Sequence, residues 1–83
     1  MTLADIVVDQ LVFLLAAPED VLDQDSGVLV LQDVLSRLEA VPAEDRAGLR
    51  HVAEARLAGG QHPAEIESAL RELVLLLDEI AAA

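Results

Sequence analysis

The run Ser26-Gly27-Val28-Leu29-Val30-Leu31-Gln32-Asp33-Val34-Leu35-Ser36-Arg37-Leu38-Glu39-Ala40-Val41 decides the fold class of this chain. At about 100° per residue, Val28, Val30, Leu31, Val34, Leu35, Leu38 and Val41 fall within one arc of about 160°. Gln32, Asp33, Ser36, Arg37 and Glu39 fill the other side, and Asp33–Arg37 is a favourable i,i+4 pair. Val28–Leu31 alone would suit a buried strand, but the helical period continues through Leu38 and argues against it. This segment predicts an amphipathic helix with one wall to bury.

Working outward, the same period recurs on both sides. Leu3, Ala4, Val7, Leu11, Leu14 and Leu15 share a face of a first helix, with Thr2 as N-cap, Asp5 in its first turn and Pro18 as its stop. Asp5 and Asp9 lie on the opposite face. Val12, Phe13 and Ala16 also fall there, so this end needs a second layer of protein or a partner to cover it. After the second helix, Pro42 opens a third, with Glu44 and Asp45 in its first turn and Gly59-Gly60 at its end. Its apolar face is thin: Leu49, Val52, Ala53 and Leu57. Pro63 opens a fourth, whose broad stripe runs through Ile66, Ala69, Leu70, Leu73, Leu76, Leu77 and Ile80, with Leu75 on the far side.

The expectation is an all-α fold: one domain, residues 1–83, folded as a compact bundle of four helices with short connections. The helices span about residues 3–17, 26–41, 43–58 and 63–81, most simply with consecutive helices as antiparallel neighbours. At 83 residues the domain buries only about 60% of its unfolded surface. With no Cys and only Phe13 as an aromatic, aliphatic packing must hold it together. High charge accompanied by so many large aliphatics does not describe a disordered chain.

Charge bounds the partners. The chain has 16 Asp and Glu against 5 Arg, no Lys, and a formal net charge of −11. The excess is uneven: residues 1–36 hold Asp5, Asp9, Glu19, Asp20, Asp23, Asp25 and Asp33 and no basic residue, and every Arg lies in 37–83. Such a surface attracts a basic partner and repels nucleic acid and anionic membranes. Scattered arginines and a single Phe do not make a nucleic-acid interface. No basic residue precedes the first apolar stretch, as a secretory signal would require. The unbroken apolar run 11–17 is far short of the roughly 20 residues that span a bilayer. A soluble, cytoplasmic protein is expected, and Arg without Lys suggests a bacterial genome rich in GC.

Asp23-x-Asp25-x-Gly27 has the start of a calcium loop, but the sixth position, which needs Gly, is Val28, and the twelfth, which needs Glu, is Val34. A solvated loop capping the second helix fits these acids better than a divalent-ion site. Asp25-Ser26-Gly27 spells an aspartic-protease triplet without the facing pair of loops on a β-scaffold that such chemistry needs. His51 and Glu54 stand i,i+3 on an outer face, without the second Glu-x-x-His pair and inward acids of a di-metal bundle. His62, before Pro63, reads as a cap or loop residue. Ser26, Ser36 and Ser68 have no evident His–acid partnership. No enzyme, no cofactor and no metal site are expected.

Two resemblances bear on function. Asp25-Ser26, opening a Val/Leu-rich helix in an acidic four-helix chain of this length, resembles acyl carrier proteins, which implies a phosphopantetheine-modified Ser26. The chain departs from that family at Gly27, where the family has Leu, in a first connection of about eight residues, and in a full-length third helix. The stretch Leu22-Asp23-Gln24-Asp25 through Leu31-Gln32-Asp33-Val34, Leu38 and Glu44-Asp45-Arg46 resembles a group of small acidic helical bacterial proteins of unassigned activity. That resemblance covers residues 22–50 and departs at Gln32 and Val41. It implies a helical fold and a bacterial origin, and it brings no catalytic residue.

The leading expectation is a non-enzymatic protein-binding module: an immunity-, antitoxin- or similar inhibitor-type protein that covers a basic surface. Its docking side would be Asp5, Asp9, Glu19, Asp20, Asp23, Asp25 and Asp33, with Val12 and Phe13 as apolar anchors. The alternatives are a carrier modified at Ser26 and a self-associating structural module, a homodimer formed through unpaired aliphatics such as Val12, Phe13, Leu29 and Leu75.

Overall fold

The computed structural model describes residues 1–17 and 24–82, so Glu19, Asp20 and Asp23 lie outside the described residues. Four helices account for most of the described chain: α1 Leu3–Ala16, α2 Gln24–Glu39, α3 Ala43–Gly59 and α4 Ala64–Ala82. No strand occurs among the described residues. The Cα radius of gyration, 12.4 Å, is close to the roughly 12 Å of a compact chain of this length.

Local chemistry sets the helix ends. Thr2 closes a reciprocal capping box on α1: its Oγ1 accepts from the Asp5 N–H at 3.2 Å, and its own N–H donates to Asp5 Oδ2 at 2.9 Å. Ala17, before Pro18, is already extended, as the clash with a following proline ring demands. Pro42 and Pro63 each stand one position before their helix, and their carbonyls accept its first backbone bonds, Asp45 N–H on Pro42 and Ile66 N–H on Pro63, both at 3.0 Å. Gly60, at φ 72°, adopts the left-handed turn that ends α3, a conformation that costs glycine nothing. α2 begins at Gln24, two residues before the expected start, which moves Ser26 from the cap into the first turn.

The packing order differs from a bundle of equal neighbours. α3 and α4 make the most extensive pairing, and α1 packs against α2, α3 and α4 alike. The connection from Gly59 to Ala64 is short, and Arg50, midway along α3, meets Asp78, late in α4, so these two helices run antiparallel. α2 rests chiefly on α1 and only grazes α3 and α4.

That order explains which apolar residues are buried. The core comprises Val8, Leu11, Val12, Leu38, Leu49, Ala53, Ala69, Leu70, Leu73 and Leu77. The stripes expected on α3 and α4 are borne out, with Leu75 outside at 62% exposure. On α1 the buried arc is turned by about one residue, to Val8, Leu11 and Val12, and Leu3 is 77% exposed. Val12 therefore serves as core at 7% exposure, and the expectation of an outward anchor there is corrected. The cause is α1's position against three helices: protein covers more than one of its sides, so an all-round apolar helix is satisfied within the fold. α2 shows the reverse. Of the apolar stripe of α2, the most regular in the chain, only Leu38 is buried, while Val28 and Val30 stay about half exposed because a single neighbour covers one line of the helix.

Candidate interaction surface

The acids of the first helix do not stand alone. Arg56, from the last turn of α3, reaches α1 and binds Asp9 Oδ1 through Nη1, and Asp5 through Nη2 to Oδ1 and to the backbone carbonyl, each at 3.3 Å. Burial works against the Arg56 charge, and its hydrogen bonds to Asp9 and Asp5 outweigh it, so its pKa rises above the ordinary value. Asp5 is lowered to about 2, first by the Thr2 N–H, then by the Thr2 hydroxyl, with Arg56 adding to both. The two carboxylates expected to be unrelieved on this helix thus share one counter-charge from the basic half of the chain. Helix packing brings the two halves together.

The other arginines are also engaged. Arg37 binds Asp33 at 3.1 Å on α2. Arg50 bridges Glu54 and Asp78, at 2.7 Å to the latter, and Arg71 holds Glu67 at 2.7 Å. Arg46 acts differently. Its Nη1 donates to the carbonyl of Leu38 (3.1 Å) in the last turn of α2, which also accepts from the Val41 N–H, and to the carbonyl of Val41 in the connection just beyond. All five guanidinium groups are therefore engaged within the molecule, whereas Asp25, Glu39, Glu44, Asp45, Glu72 and Glu79 form no ion pair among the described residues.

Of the residues expected to dock a partner, Asp25 is exposed in the first turn of α2. Asp33 is exposed but tied to Arg37. Phe13 is 49% exposed and borders a shallow hollow with Ile66, Leu70, Arg56 and His62. Asp9 lies at the same edge, held by Arg56. Ser26 is exposed inside the first turn of α2. His62, read as a cap or loop residue beside Pro63, reaches back to α3, its Nε2–H donating to the Arg56 carbonyl at 2.8 Å. Among the described residues no three His, Cys, Asp or Glu side chains converge to hold a metal ion. No described helix is long and apolar enough to cross a membrane.

No family model, curated protein or solved structure matches this chain.

Sequence reading missed the long-range partners of Arg56 and Arg46 and the trough beside Glu44 and Asp45. Arg56 had no local signal, because its partners lie 47 and 51 positions away. Glu44 and Asp45 were legible as first-turn acids, but the apolar trough beside them is formed jointly by α1, α2 and α3.

Proposed function

We propose that this chain is a non-enzymatic, acidic protein-binding module, an immunity- or antitoxin-type inhibitor that covers a basic partner. One observation carries the reading: all five arginines are engaged within the molecule, so the unpaired outward charge is carboxylate, while aliphatics such as Leu29, at 67% exposure, stand open on α2. Unopposed carboxylates steer a cationic partner and raise its association rate, and the aliphatic surface supplies burial once it arrives. The test is binding of this chain to a basic protein encoded by a neighbouring gene, measured by calorimetry across ionic strength. Affinity that falls with salt and with Asp25→Arg and Glu39→Lys supports the reading. Tight binding indifferent to both removes the electrostatic mechanism, and no binding removes the inhibitor reading.

A second reading, self-association, is favoured by the exposure of Val28, Leu29, Val30 and Leu75 together. Two copies of a chain with net charge −11 repel one another at long range, which works against it at low salt. Light scattering separates the two: a monomer at high concentration and high salt excludes the homodimer.

A further inference from the structure

A trough runs between the N-terminal part of α1 and the first two turns of α3, closed at one end by the last turn of α2. Its volume is about 460 Å³. The apolar lining is Leu3, Ala4, Val7, Leu38, Val41 and Leu49, and Glu44 and Asp45 form its polar edge. Arg46, the next residue along, binds the carbonyls of Leu38 and Val41 and does not line the trough. The wall of α3 here is Gly48, a helix-interior glycine with no positive φ. A Cβ built at Gly48 would meet nothing within 4 Å. No contact within this fold requires glycine at that position, although glycine weakens a helix relative to alanine. Its missing side chain instead leaves the trough deeper.

We infer that this trough is the seat of a basic amphipathic helix belonging to the partner: apolar side chains fill the floor past Gly48, and Lys or Arg on the flanks reach Glu44 and Asp45. Helix-in-groove docking has this form, with anchors at i, i+3, i+4 and i+7. Charge decides the occupant. A second copy would bring net negative charge to a negative edge, whereas a basic helix meets complementary charge there. First-turn acids already favour α3 through its dipole, which accounts for their presence on the helix but not for the open apolar floor beside them. The inference rests on the protein-binding reading above and gives that reading a location.

The probe is a synthetic amphipathic helix of about four turns, with Leu at the anchor positions and Lys elsewhere, compared with a scrambled peptide of the same composition. Methyl and amide NMR shifts should move at Val7, Leu38, Val41 and Leu49 with the patterned peptide and not with the scrambled one. Gly48→Leu, and separately Glu44→Lys with Asp45→Lys, should each weaken binding by about tenfold or more. Gly48→Ala should raise thermal stability while weakening binding, an outcome that misfolding cannot imitate. Shifts confined to Val28–Val30 would overturn the location and leave the protein-binding reading standing. Concentration-dependent shifts without peptide would make a second copy the occupant and overturn the inference. Absence of peptide binding anywhere also overturns it, while the inhibitor reading is decided by the separate calorimetry with the neighbouring gene's product.

Discussion

Arg56 on α3 clamps Asp9 on α1, a residue 47 positions earlier, and the same guanidinium holds Asp5 one helical turn away. The side chain of Arg56 is only 26% exposed, so it meets these acids in a less screened setting than a surface pair. Replacing it with Met leaves two carboxylates beside the core without a counter-charge. Arg56→Met should cost about 1–2 kcal/mol, read as a lower urea midpoint. Asp9→Asn should cost less, because Arg56 keeps Asp5. A double-mutant cycle with no coupling between Arg56 and Asp9 would contradict the clamp.

Asp5 has a folded pKa of about 2 against a usual value of 3.8. A depressed folded pKa contributes stability that is fully present above the unfolded pKa and is lost as pH falls through the folded one. The melting-temperature gap between the native chain and Asp5→Asn should therefore be constant above about pH 5 and shrink between about pH 4 and pH 2. A gap independent of pH in that window would show that the Thr2 bonds do not depend on ionised Asp5.

Val12 and Phe13 are adjacent in sequence and opposite in environment. Val12→Ala should destabilise by about 2 kcal/mol through lost burial and a residual cavity. Phe13→Ala should cost well under half of that, because about half of the Phe13 side chain is already open to solvent. Equal losses in thermal melts would contradict the rotated face of α1.

Arg46 couples α2 to α3 through the carbonyls of Leu38 and Val41. Because α2 has little other support, Arg46→Met should loosen that helix first. Hydrogen exchange should accelerate at the α2 amides more than at those of α4, with a global loss of about 1–2 kcal/mol. Uniform acceleration across all four helices would mean that the cap does not act on α2 alone.

Legibility followed the range of the interaction. The Thr2–Asp5 cap, the end of α3 at Gly60 and the stripes of α3 and α4 each depend on residues within a few positions or one helical period, so local patterning revealed them. Val12 and α2 misled for a shared reason. Periodicity tells how a helix divides its own faces, not how many neighbours cover them. α1 had three partners and buried a residue from its nominally polar arc; α2 had one principal partner and left much of its apolar arc open. Part of the expected acidic surface, Glu19, Asp20 and Asp23, lies outside the described residues.

By itself the sequence determined that this is a four-helix, all-α chain with an aliphatic core and an excess of carboxylates, because helical period, proline and glycine punctuation and net charge are properties of composition and order. Local i,i+4 spacing sets the Asp33–Arg37, Arg50–Glu54 and Glu67–Arg71 pairs, and tertiary structure decided the rest of the charge pairing. Folding carries Arg56 across to the acidic half, folds Arg46 under α2, and leaves Glu44 and Asp45 beside an open trough. The physical reason is that charge pairing depends on distance in space, and only helix packing brings residues 5, 9 and 56 within reach of one another.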